Sequence, residues 1–229
     1  SALKRYKWPG VAAVVVSVVH LLKGSYAGVR LLERRPVEQI TAFLFANGGN
    51  DDPKQLAANA GKSFQGSIVL GMGFTFDDSG QADDDTPGIP SPIATMERLI
   101  AENPKNAEVI FPYIGGDEVN SSPTHIHHRY VIDLRDQSEE ECRREWPEVM
   151  ALIEKKVRPE RTRKKANGDF SLRAPLPQRW WQHADKRPAL YASVGNCDQI
   201  IGIARVSQAF GFALLTPGNV FSEQLIIAA

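Results

Sequence analysis

The chain is poor in cysteine: Cys142 and Cys197 are the two in 229 residues. That excludes a disulfide-built scaffold and suits a reducing compartment. It carries no surplus charge, since 27 lysines and arginines balance 27 aspartates and glutamates. Zero net charge argues against binding nucleic acid by bulk attraction alone. Long hydrophobic runs are missing too. The longest, Val11–Leu22, is interrupted by Ser17 and His20 and falls short of the ~20 residues a spanning helix needs. It also lacks the cleavage pattern of a secretory signal. These features lead to the expectation of a cytoplasmic protein with no membrane partner. There is no internal repeat. The chain opens Ser1-Ala2-Leu3 without methionine, which reads as a piece of something longer.

What is present is ordinary for a globular domain: 42% hydrophobic, 24% charged and 8% aromatic residues. Such a chain can bury a core. Its charge is locally segregated. Residues 1–76 are net +5, residues 77–141 net −11, residues 143–187 net +7 and residues 188–229 net −1. The densest cationic run extends from Lys155 to Lys165. A solvated helix end and a phosphate-contacting strip explain that run equally well on composition.

The β-branched stretch Val11–Val19 predicts a buried strand. Pro36–Ala46 fits a short strand or a helix. Turn residues make Ala46–Pro53 a loop. Ser63–Phe76 reads as a strand interrupted at Gly66, Gly71 and Gly73. Asp77–Pro92 is an acidic excursion rich in Gly, Pro and Ser. Helix is expected over Ile93–Ala101, stopping near Asn103-Pro104. A strand at Glu108–Tyr113, a loop at Gly115–Thr124 and a strand at Arg129–Leu134 follow. Ser138 with Glu141 is a capping box opening a helix. Pro147 suits the first position of the next helix, whose apolar spacing runs from Val149 to Val157. Residues 166–178 are loop. Ile200–Val206, Ala209–Leu215 and Val220–Ile227 read as strands, with a turn at Thr216–Asn219.

Several motifs fall short of their chemistry. Ala60-Gly61-Lys62-Ser63 looks like the end of a phosphate-binding loop, but Leu56 stands where that loop needs glycine. Gly71-Met72-Gly73 continues into Phe74 and Phe76 rather than a helix, so it reads as a bulge or close backbone approach. Asn103-Pro104-Lys105-Asn106 lacks the second proline and aromatic of an amino-methyltransferase motif and reads as a helix stop. Asp133, Glu154 and Lys156 match a nuclease spacing, yet Glu154 and Lys156 fall in a helical pattern about 200° apart around the axis. His125, His127 and His128 are dense enough to raise a metal site, but no cysteine is near, so no metal is expected. Trp180-Trp181 invites base stacking, but one tryptophan in the core and one half-covered is the plainer reading. No catalytic group stands out.

The order of other segments carries more. Phe111–Leu134 contains Gly-Gly-Asp-Glu-Val-Asn-Ser-Ser-Pro-Thr-His-Ile-His-His-Arg. After it come Ser138-Glu-Glu-Glu141, Trp146-Pro147, Val157-Arg-Pro-Glu-Arg161, Arg179-Trp-Trp181 and Arg187-Pro188. Leu56-Ala-Ala-Asn59, Ser63–Ser67 and Gly71–Phe74 precede it, and Ala204-Arg-Val-Ser207 ends the series. From Trp8 to about Phe221 this order resembles the target recognition domain of type IIG/IIL restriction–modification enzymes and related adenine-N6 DNA methyltransferases.

The resemblance implies a mixed α/β (α+β) domain, with strands and few helices scaffolding long DNA-reading loops. It implies residues 1–45 as the transition out of a methyltransferase core and 46–229 as the recognition domain. Double-stranded DNA and the absent methyltransferase domain would be its partners. S-adenosylmethionine would belong to that domain, with no cofactor in this chain. Arg158, Arg161, Arg163, Lys164 and Lys165 are the expected phosphate contacts. Asn120, Ser121, His125, His127, His128 and Arg129 are the expected groove readers, because they occupy a polar loop between strands; Arg129, which abuts the strand, is alternatively structural. Asn and Arg make bidentate contacts with purine edges. The isolated chain is expected to catalyse nothing. A protein-interaction module of a defence complex and a metal-dependent nuclease are the alternatives.

Overall fold

A computed structural model describes every residue except Ala12, Ala13, Pro53, Gln55, Leu56, Ser79 and Ala209. Parts of the expected Val11–Val19 strand, Ala46–Pro53 loop, Leu56–Asn59 segment, Asp77–Pro92 excursion and Ala209–Leu215 strand therefore lie outside the described residues. The chain divides into two compact units, Ser1–Leu56 and Ala57–Ala229. Among the described residues it is a mixed α+β protein, with twelve strands in three four-stranded sheets.

The first unit is one sheet, ordered β2-β1-β3-β4. Its strands are β1 (Ala2–Lys7), β2 (Val15–Val19), β3 (Arg30–Leu32) and β4 (Arg35–Val37). The valine run does form a strand, but not a buried one. β2 is an edge strand with alternating exposure, and Val15 is 64% exposed. Its continuous β-branched sequence reflects strand propensity alone. Pro36 falls in β4, so the undecided Pro36–Ala46 segment begins as strand and continues as turns.

The second unit holds two sheets. One has the order β11-β7-β8-β6, from β6 (Thr75–Phe76), β7 (Ile110–Ile114), β8 (Arg129–Ile132) and β11 (Val220–Phe221). The other has the order β10-β9-β12-β5, from β5 (Ser63–Gln65), β9 (Ile200–Ala204), β10 (Ala213–Leu215) and β12 (Leu225–Ala228). Helix α1 (Ile93–Glu102) ends at Asn103, whose side chain then accepts from Lys105 N at 3.2 Å. Helix α2 (Gly116–Ser121) occupies the stretch expected to be loop. Its first turn carries Asp117 and Glu118, which favour a helix N-terminus.

The Ser138 capping box forms as its sequence dictates: Ser138 and Glu141 each bond the other's backbone N–H at the start of α3 (Glu139–Glu145). Pro147 opens α4 (Pro147–Lys156) and Pro159 sits in α5 (Arg158–Arg161). Pro188 opens α6 (Pro188–Val194). Val149, Met150, Ile153 and Val157 are buried against Phe74, Phe76, Val131 and Ile132, each contributing about 1.5–3 kcal/mol of burial. Trp180 and Trp181 both enter this core, 6.0 Å apart edge-to-face, so neither is the half-covered partner expected. A second core lies beneath β9, β10 and β12, with Leu190, Phe221, Leu225 and Ile227.

Candidate nucleic-acid interface

The segment that joins β7 to β8 carries the expected groove readers. It is organised around Glu118, which is fully buried. Glu118 accepts from Gly115 N at 2.8 Å, Arg129 Nε at 2.8 Å and Arg129 Nη2 at 2.7 Å, and His128 Nδ1 lies 3.2 Å away. Burial pushes the Glu118 carboxyl up, but the arginine and the Gly115 N–H outweigh it and hold it below the usual carboxylate range. Arg129 also lies over the Tyr113 ring, 5.2 Å from its centre. Arg129 is thus committed to the fold, while Asn120, Ser121 and His128 are exposed. His125 and His127 are half-buried; His127 meets Tyr130 edge-to-face at 5.0 Å. His127 and His128 line a cavity of about 610 Å³ with Asp77, Asp78, Ile93 and Tyr130.

Helix α2 is fastened at both ends to segments that flank β9 and β12 of the other sheet. Gly116 N donates to Gln224 Oε1 at 2.9 Å, and Asn120 Nδ2 donates to Val206 O at 3.1 Å. Gln224 O in turn accepts from Arg205 N at 2.8 Å. Sequence reasoning missed this brace. The signal was available in Gly115-Gly116-Asp117-Glu118, a glycine followed by acids in the pattern of a helix start.

The expected phosphate contacts separate into two groups. Arg163, Lys164 and Lys165 are exposed on a small hairpin. Ser171 N bonds Arg163 O and Lys165 N bonds Asp169 O, each at 2.8 Å, around Gly168 at φ 87°. None of the three has a carboxylate partner within salt-bridge distance among the described residues. Arg158 is exposed but ion-paired to Glu154. Arg161 does not stand with them: it is 1% exposed. Its Nη2 donates to Val69 O at 2.8 Å and its guanidinium faces Phe74 at 5.6 Å. Burial pushes its pKa down to about 10. A side chain so enclosed cannot reach a phosphate without unpacking the core.

The rest of the basic run meets the acidic excursion. Lys156, fully buried, caps the carbonyls of Asp83 and Pro90. Lys155 Nζ pairs with Asp85 Oδ1 at 2.6 Å, and Thr95 Oγ1 donates to Asp84 Oδ2 at 2.6 Å. The segregated charges of the sequence are therefore partly joined in space. Lys156 in this role, and Glu154 paired with Arg143 and Arg158, are occupied by structural contacts rather than facing a shared metal. No group of three or more metal-ligating side chains occurs among the described residues.

Gly66 and Gly73 are close backbone approaches, whereas Gly61 has open space around it and Gly71 meets only a side-chain atom at 3.7 Å; both of these adopt positive φ. A Cβ on Gly73 would lie 2.6 Å from Lys156 O. Gly61 is followed by β5 rather than by a helix. Among the described residues no helix is long and apolar enough to cross a membrane.

No family model matches the chain, and no curated protein matches it. Among solved structures its fold is similar to that of a Type IIL restriction-modification enzyme, MmeI, in complex with DNA. The identity is 16% and the TM-score 0.59, over 99% of this chain and 29% of that one, so the chain spans under a third of that enzyme's length.

Proposed function

We propose that this chain is the sequence-specific DNA recognition module of a restriction–modification type adenine-N6 DNA methyltransferase. The observation that carries the reading is the fold similarity along 99% of the chain to a restriction-modification enzyme solved with DNA. The ordered motifs from Trp8 to Phe221 support it independently. In this reading Asn120, Ser121, His125, His127 and His128 read base edges, and Arg129 shapes the loop that presents them. Arg163, Lys164 and Lys165 contact phosphates, with Arg158 beside them. Residues 1–45 lead out of a methyltransferase core, which supplies S-adenosylmethionine and the chemistry, in the cytoplasm.

The test is selection from a random duplex pool by the 229-residue chain. Enrichment of one site supports the reading. Failure to retain any duplex at low ionic strength overturns it. A second reading, a protein-docking module, is favoured by the apolar exposure of Val15, Leu21 and Leu22. A gel shift set against a partner pull-down separates the two: duplex retention supports the recognition module, and capture of a protein partner without duplex retention supports docking.

A further inference from the structure

The β9–β10 hairpin ends in an apolar tip that none of the roles above uses. Residues 205–212 join the strands, and the pairing of Leu214 with Ile201 sets the hairpin's register. Ile201 and Leu214 both point outward, and the stripe continues to the tip through Phe212 and Phe210. Phe210 is 85% exposed and Phe212 63%, with ring centres 5.0 Å apart at 80°. Gly211 between them has open space around it. Arg205, the one charged residue of the segment, donates to Glu223 O and Gln224 O. Two aromatic rings held out in water at the end of a braced hairpin need an apolar partner.

We infer that Phe210 and Phe212 form a wedge that inserts between stacked base pairs of duplex DNA. The inference rests on the proposed recognition role and adds a second contact element to it. Continuity selects the occupant. The Asn120–Val206 bond ties the segment after β9 directly to the helix that carries Asn120 and Ser121, and Gln224, in the turn before β12, links Gly116 of that helix to Arg205 N at the hairpin's base, so a ligand held by the helix lies next to the hairpin. Apolar side chains driven between base steps unstack them and kink the duplex, and aromatic rings then stack on the exposed bases. The tip carries little charge, so it adds shape and stacking without adding phosphate contacts.

The experiment uses duplexes bound by the 229-residue chain, with 2-aminopurine placed at successive positions. The wild-type chain brightens the probe at one step, where stacking is lost. Phe210→Ala/Phe212→Ala abolishes the brightening and weakens binding about tenfold, while the salt slope stays unchanged because no phosphate contact is lost. Both rings are exposed, so circular dichroism of the variant matches wild type. Arg163→Glu/Lys164→Glu is the contrast: it lowers affinity and the salt slope but leaves the brightening of the bound complex. Binding without brightening at any position overturns the wedge and leaves the recognition role standing. So does a double-alanine variant that binds and brightens like wild type, or one that loses only self-association or a protein partner. A wild-type chain that binds no duplex overturns both.

Discussion

Glu118 and Arg129 form a two-pronged ion pair, with Nε–Oε1 at 2.8 Å and Nη2–Oε2 at 2.7 Å, beneath the segment that links β7 to β8. Parallel contacts of this kind fix direction as well as distance. Glu118→Ala leaves the largely enclosed guanidinium without its counter-charge. Loss of one partner of such a pair costs about 3 kcal/mol, measured by urea unfolding. Arg129→Lys keeps the charge but not the fork, and is expected to recover only part of the loss.

Because its folded-state pKa is depressed, Glu118 stabilises the fold above its unfolded pKa of about 4.3. That contribution is lost as pH falls through the folded value. Urea midpoints followed downward from pH 5 should drop, and Glu118→Gln should flatten the drop.

His183 makes the same demand for the deprotonated form, in a higher pH range. It is buried, with Nε2 2.8 Å from Ile132 O and Nδ1 3.8 Å from Asp133 Oδ1. Burial lowers its pKa against the pull of Asp133, so the unfolded chain takes up the proton first. Stability is full above about pH 6.5 and declines as acid is added. His183→Gln should remove the part of the decline between pH 7 and pH 5, read as the difference in unfolding free energy at those two values.

Arg161 and the exposed hairpin cations should part company on mutation. Arg161→Met removes a buried charge whose Nε and Nη1 have no hydrogen-bond partner. It should change stability by less than about 1.5 kcal/mol and leave any salt dependence of DNA binding intact. Arg163→Glu/Lys164→Glu should leave the unfolding midpoint unchanged and flatten the slope of affinity against salt.

Lys156→Met uncovers the carbonyls of Asp83 and Pro90. An unmade buried hydrogen bond costs about 1–3 kcal/mol. Limited proteolysis should then cut within residues 77–92 sooner than in the wild-type chain.

Local rules read much of the fold well. Ser138 and Glu141 cap α3, Pro147 starts α4 and Asn103 ends α1, because each depends on backbone groups within a few residues. Arg161 and Lys156 were illegible for the opposite reason. Both belong to a run that looks uniformly solvated, and only helical phase against a distant sheet decides which of its cations turn inward. Asn120 and Ser121 read as loop in the sequence because the six residues of α2 offer little periodicity. The partner that holds their helix, Gln224, lies more than a hundred positions away. The exposed rings of Phe210 and Phe212 looked like strand residues, since alternation does not reveal which face lacks a covering layer.

The clasp between Lys155, Lys156 and the aspartates of the 83–85 turn has a kinetic corollary. Attraction over many ångströms grows with uncompensated charge, and this molecule neutralises part of its own. Encounters with a polyanion are then not hastened from afar. In the proposed recognition role, discrimination among sites falls to how long each complex survives, so dwell times, rather than arrival rates, should vary with sequence.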